Sequence, residues 1–316
     1  MSDIIPFPKL QQKLYKDIKS SHNSQHYETV YQLIEDYEAQ FELDETLALI
    51  KCDMLYHLNS FLELREEAIV LLKRGIQAYD ELMLYYIKAL NGLGQYYESV
   101  NVINQIIDEV QSHKTRMALF PLKEYAQSQL NEDKHITSQS LAKFNTLNLN
   151  EQIQLVLKLI DNGHYEFKET IAFLLSNEVE ADNLKSLMLE FLRFAGYNTP
   201  ININKMNYSV NVIPNELNGL EHTELKTQVI PRVIDKLENG ALNIIDEAIH
   251  TMNNHAILLY PLNVFDLYTC DDWITGYDVY FKSMIGIQTN EDSLKILNFI
   301  NSLDGQIWAN YFILLN

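Results

Sequence analysis

The chain has 316 residues, 47% of them hydrophobic, and 24 Lys and Arg against 43 Asp and Glu give it a formal charge of −19. Such a composition builds a folded core, at a length suited to two domains or one extended repeat array. The acidic balance argues against a phosphate backbone as ligand, because that affinity comes from clustered cations, and no nucleic acid partner is expected. The excess is spread along the chain, −8 up to Lys134 and −11 beyond it, so it describes an acidic surface and not an acidic tail.

The opening Met1-Ser2-Asp3-Ile4-Ile5-Pro6-Phe7-Pro8 lacks the basic region and long apolar stretch of a secretory signal, which makes a cytoplasmic protein the expectation. No apolar run approaches the roughly 18 residues of a membrane span, so a membrane is not an expected partner. Cys52 and Cys270 are too few and too far apart for a disulfide framework or a metal knuckle. They read as small, buried or half-buried apolar residues.

Leu47, Ile50, Met54, Leu55 and Leu58 recur at helical spacing, and the first 134 residues read as successive helical hairpins. The clearest unit is Gly94-Gln95-Tyr96-Tyr97-Glu98-Ser99-Val100, followed by Ile103, Ile106 and Ile107. Here a glycine ends one helix, an aromatic packs into the turn, and a small residue lets two backbones approach. Met83, Tyr86, Ile87, Ala89 and Leu90 supply the packing face of its first helix. Tyr27 to Val30 and Leu64 to Ala68 fit the same pattern. Val30, Ala68 and Ser99 then stand 38 and 31 residues apart, against a tetratricopeptide period of about 34. A further helix from about Lys114 to Leu130 is expected to be interrupted at Pro121. Residues 131–150, rich in Asn, Ser and Thr, read as a polar linker.

That reading divides the chain into a repeat domain, 1–134, and a helical domain, 135–316. In the second, Glu151 to Ile160, Tyr165 to Leu175 and Asn183 to Phe194 are amphipathic segments. Pro200 to Ile203 and Tyr208 to Val212 alternate with period two, which predicts a β-hairpin near 201–213 with its turn over Asn204 to Asn207. Helices resume at Thr223 to Leu237, Ala241 to Asn253, Asp271 to Gly286 and Glu291 to Leu303, with a last apolar piece from Ile307 to Leu315. The fold class expected is mostly α: a degenerate repeat array followed by a helical part with one small hairpin.

The degenerate repeats around Glu67-Ala68 and Gly94 to Val100, the Leu184 to Tyr197 segment running into the hairpin, and Leu258-Leu259-Tyr260-Pro261 together resemble the YsoA-like tetratricopeptide-repeat proteins of Firmicutes. The resemblance spans nearly the whole chain. It implies a helical-repeat fold and carries over no catalytic residue.

Candidate chemistry is thin. His22 and His26 stand four apart, without the intervening Glu of a metalloprotease, and an exposed helix start explains them more simply. His250 and His255 fall on different helix faces. Asp271-Asp272 suits a helix N-terminus, where carboxylates cap free amides. Gly163, Gly196 and Gly240 look like helix ends, and no phosphate loop or nucleophile elbow is present. No metal and no cofactor are expected.

What remains is the inner face of the repeats, where Asp53 and His57 of one unit and Lys88 and Asn91 of the next point from successive first helices. Related repeat domains hold a peptide's terminal carboxylate with Lys and Asn on this surface. The leading expectation is a non-enzymatic protein-binding scaffold whose groove holds a peptide or partner helix. The alternatives are an enzyme with an unfamiliar carboxylate site in a cleft between the two parts, and a self-associating protein using Ile307 to Leu315.

Overall fold

The computed structural model describes residues 8–75, 77–238, 241–287 and 294–314, apart from the side chains of Pro8, Leu294 and 307–314. Among these residues the chain forms fourteen α-helices and a single two-stranded sheet. It is the helical array with a small hairpin that the sequence predicts. Two compact units are present, 1–136 and 137–316.

The first unit begins with three hairpins: α1 (Pro8–Asn23) with α2 (Tyr27–Glu38), α3 (Glu45–His57) with α4 (Phe61–Lys73), and α5 (Tyr79–Gly92) with α6 (Tyr96–Ile106). Each turns over three residues, and the middle one takes a positive φ: 59° at Gln25, 56° at Asn59 and 73° at Gly94. These positions lie 34 and 35 residues apart. Each turn carries the same pair of bonds. The amides of His26, Ser60 and Gln95 donate to the carbonyls of Ser21, Leu55 and Leu90, and those of Gln25, Asn59 and Gly94 to His22, Tyr56 and Asn91. Carbonyls left free at the helix end are thereby satisfied.

An aromatic opens each second helix, Tyr27, Phe61 and Tyr96, and three residues on lies a fully buried side chain, Val30, Leu64 or Ser99. The middle counterpart is therefore Leu64, which corrects the assignment of Ala68. The slip is four residues, about one helical turn. Since Ala68 is buried as well, the wrong register still satisfied the apolar pattern.

The same aromatic reaches forward to the last turn of the next repeat's first helix. Tyr27 stacks on His57, with centroids 4.4 Å apart and planes at 13°, Phe61 covers Gly92, and Tyr96 meets Tyr125 edge-on at 5.8 Å. Tyr125 belongs to α7 (His113–Leu141), whose first half thus takes the place of a fourth first helix.

Helix α7 overturns two expectations. It runs through Pro121, and it occupies much of the supposed linker. Thr115, Leu119, Ala126, Thr137 and Leu141 are buried along one side, so packing continues past the proline and offsets its cost of about 3 kcal/mol. Pro121 and Met117 both lie on the exposed side, so the proline ring displaces no residue of the buried stripe. Beyond α7, Phe144 is buried in a short turn, and Asn148 and Glu151 exchange the bonds of a capping box. The polar residues of the region are thus helix surface and caps.

In the second unit, α8 (Leu149–Asp161) ends at Gly163, with φ of 60° and the same pair of turn bonds, two repeat periods after Gly94. Then come α9 (Lys168–Asn177) and α10 (Asp182–Phe194), which ends at Gly196, with φ of 63°. Strands β1 (Ile201–Lys205) and β2 (Tyr208–Val212) pair antiparallel, Ile201 opposite Val212 and Lys205 opposite Tyr208. The turn is only Met206 and Asn207, both at positive φ, shorter than the four residues expected. Alternation then aims Ile201, Ile203 and Lys205 inward.

A π-helical turn over Leu225–Val229 leads into α11 (Ile230–Glu238), followed by α12 (Ile245–Leu259), α13 (Cys270–Met284) and α14 (Leu294–Leu314). Thr269 caps α13 and Asp272 reaches back to it, so Asp272 performs the capping expected of that acidic pair. Cys52 is buried and Cys270 half-buried. Gly240, Glu291 and the side chains of 307–315 lie outside the described residues. Among the described residues no helix is long and apolar enough to cross a membrane.

Candidate functional site

Helices α1, α3 and α5 present side chains to one face of the first unit. At its centre is the Asp53 carboxylate of α3. His22 of α1 approaches it with Nε2 2.8 Å from Oδ2, and the Tyr85 hydroxyl of α5 donates to Oδ1 at 2.8 Å. His57, one turn on from Asp53, lies with Nε2 3.7 Å from Oδ1. One carboxylate therefore connects three successive first helices. Burial, followed by the Asp53 charge, pushes the Tyr85 phenol far up.

Lys88 sits one repeat after Asp53. Its Nζ lies 4.4 Å from the Tyr56 ring centroid and 4.8 Å from that of Tyr85, a contact worth about 0.5–1 kcal/mol at a partly exposed position. Burial lowers the pKa of the amine, and the nearby Asp53 charge opposes that shift. His22, Tyr27, Asp53, Tyr56, Tyr85 and Lys88 are all half-buried and His57 is exposed. The face offers π surfaces, a cation and polar atoms held by their neighbours.

Three of the four predicted residues, Asp53, His57 and Lys88, thus meet on one face. Asn91 does not join them. It is 8% exposed, and its Nδ2 donates to the Leu122 carbonyl at 3.1 Å, so it packs α5 against α7. The expectation of an exposed Asn91 is corrected by register: His57 follows Asp53 by four residues, Asn91 follows Lys88 by three, and the repeat counterpart of His57 is Gly92. Four residues of the face, His22, Tyr27, Tyr56 and Tyr85, were not assigned to it from the sequence. The available signal was the aromatic directly after each turn, which stacks Tyr27 on His57.

The members of each histidine pair have different surroundings. His26 lies in the first turn while His22 faces Asp53. His250 lies 3.2 Å from Asn254, and His255 is buried between the Tyr277 hydroxyl and the Asp304 carboxylate, both at 3.0 Å. Among the described residues no group of three His, Cys, Asp or Glu could hold a metal ion.

A serine–lysine pair in the second unit is the nearest approach to a nucleophile with a base. Lys205 is wholly buried, and its Nζ donates to the Asp182 carbonyl at 2.6 Å and to the Ser186 hydroxyl. Ser186 in turn donates to the carbonyls of Ile257 and Tyr260. Those carbonyls end α12 and lack helical donors. Burial pushes the Lys205 amine down to about 7. With both side chains fully buried and their partners mainly backbone, the pair ties β1 to α10 and α12.

No family model matches the chain, and no solved structure matches it. The chain is similar to the TPR repeat-containing protein YsoA of Bacillus subtilis (strain 168), at 20% identity over 303 residues that cover 93% of this chain and 90% of that protein. The likeness agrees with the YsoA-like resemblance and with the repeat geometry of the first unit.

Proposed function

We propose that the chain is a non-enzymatic, cytoplasmic scaffold that holds a segment of another protein against the α1, α3 and α5 face. The observation that carries the reading is the convergence of Tyr27, Tyr56, Tyr85, His57 and Lys88 around Asp53. Tyrosines supply wide, stiff contact area at small entropic cost, while Lys88 and the imidazoles fix polar groups of the ligand. The neighbouring apolar residues of these helices are committed to the core, and the tetratricopeptide relative supports the same use of the array. The acidic surface disfavours nucleic acid as the ligand.

The test begins with affinity capture from native cytoplasm, identification by mass spectrometry and measurement of the purified complex. Replacing Tyr56 and Lys88 together by Ala should weaken binding roughly a hundredfold, as for a small binding hot spot, with the helical circular dichroism spectrum unchanged. Undiminished affinity in that folded variant would remove this face from the proposal.

A further inference from the structure

Met117 and Phe120 lie 34 residues after Met83 and Tyr86. In α5, Met83 belongs to one apolar cluster with Ile103 and Ile106 of its hairpin mate α6, and the Tyr86 hydroxyl donates to Glu98 of α6 at 2.9 Å. The side of a first helix that carries these positions is therefore the side its own second helix covers. In α7 the turn due near residue 128 is absent. The helix continues unbroken to Leu141, so its later half does not fold back onto its earlier half. Met117 is left 55% exposed, Phe120 48% and Tyr125 50%.

We infer that the α7 face of Met117, Phe120, Pro121 and Tyr125 is a homodimer seam, packed antiparallel against the same face of a second copy of this chain. The charges around it select that occupant. Lys114 and Glu124 stand five residues to either side of Leu119, both are exposed, and neither has an ion-pair partner among the described residues. In an antiparallel pair centred there, Lys114 of each copy lies level with Glu124 of the other, and Met117 lies level with Pro121. A parallel pair would set like charges level instead. The symmetric arrangement is closed and uses one patch twice, and it supplies the helix that the missing hairpin mate leaves absent.

Sedimentation equilibrium of the full chain should give twice the 36.8 kDa of one chain. Met117→Glu with Phe120→Glu should return the mass of one chain at unchanged helical content. Lys114→Glu or Glu124→Lys alone should weaken association roughly tenfold, because each sets like charges opposite one another at two symmetric places. The double exchange should restore it. A single-chain mass at the highest soluble concentration overturns the inference, as does a dimer indifferent to the two glutamates or a double exchange that fails to recover. None of these readouts depends on the α1, α3 and α5 face.

Discussion

The ring of Phe61 fills the space that a β-carbon on Gly92 would need. Alanine in place of a helical glycine ordinarily gains about 1 kcal/mol, so propensity alone predicts that Gly92→Ala stabilises the array. The overlap with Phe61 predicts the opposite sign, a loss of about 1–3 kcal/mol from overpacking. Urea unfolding decides between them. The loss should also shrink when Phe61→Leu is added, giving a coupling of at least about 0.5 kcal/mol in a double-mutant cycle. A raised midpoint for Gly92→Ala would show that the two helices separate easily.

The third repeat was legible because its turn uses glycine at the left-handed position. The first two use Gln25 and Asn59, and without that marker the apolar pattern alone set the register, which a buried residue one turn away satisfies equally well. Composition misled at 131–150, where Ser, Thr and Asn suggested a linker although Thr137 and Leu141 continue a buried stripe. The functional face was partly legible from Asp53, His57 and Lys88, whose roles depend only on which side of a first helix they occupy. Tyr27 and His22 reach it from the neighbouring hairpin, and that depends on how hairpins stack. Lys205 was hidden for a related reason: assigned to the turn, it carried no expectation of burial.

The correction at Asn91 separates two substitutions that the sequence groups together. Lys88→Ala removes a partly exposed cation–π contact and should cost no more than about 1 kcal/mol. Asn91→Ala deletes a buried side chain together with its hydrogen bond to the Leu122 carbonyl, and the expected loss is about 1–3 kcal/mol. Chemical denaturation of the two single variants checks the order. Equal losses, or a larger one for Lys88→Ala, would contradict the placement of Asn91 between α5 and α7.

Lys205 makes the second unit pH-dependent in a definite direction. Its amine is held near 7 in the folded chain, against 10.5 for an ordinary lysine, because burial penalises the ammonium. Between those values the unfolded chain binds a proton that the folded chain does not, so unfolding free energy should rise with pH, by up to about 1.4 kcal/mol per unit. Below 7 the full penalty is present and this slope ends. Tyr85 and Tyr277, both raised by burial, act oppositely, losing stability as pH rises above 10, so the alkaline limb of the measurement stops short of the tyrosine range. Lys205→Met should abolish the rise, while leaving Asp182 without the donor that Nζ supplies. Urea titrations from neutral to mildly alkaline pH, followed by the near-ultraviolet signal of the two tryptophans, Trp273 and Trp308, both of which belong to the second unit, should show a slope in the parent chain and none in the variant. Parallel slopes would mean that Lys205 is solvated, and that the hairpin is anchored by Ile201 and Ile203 alone.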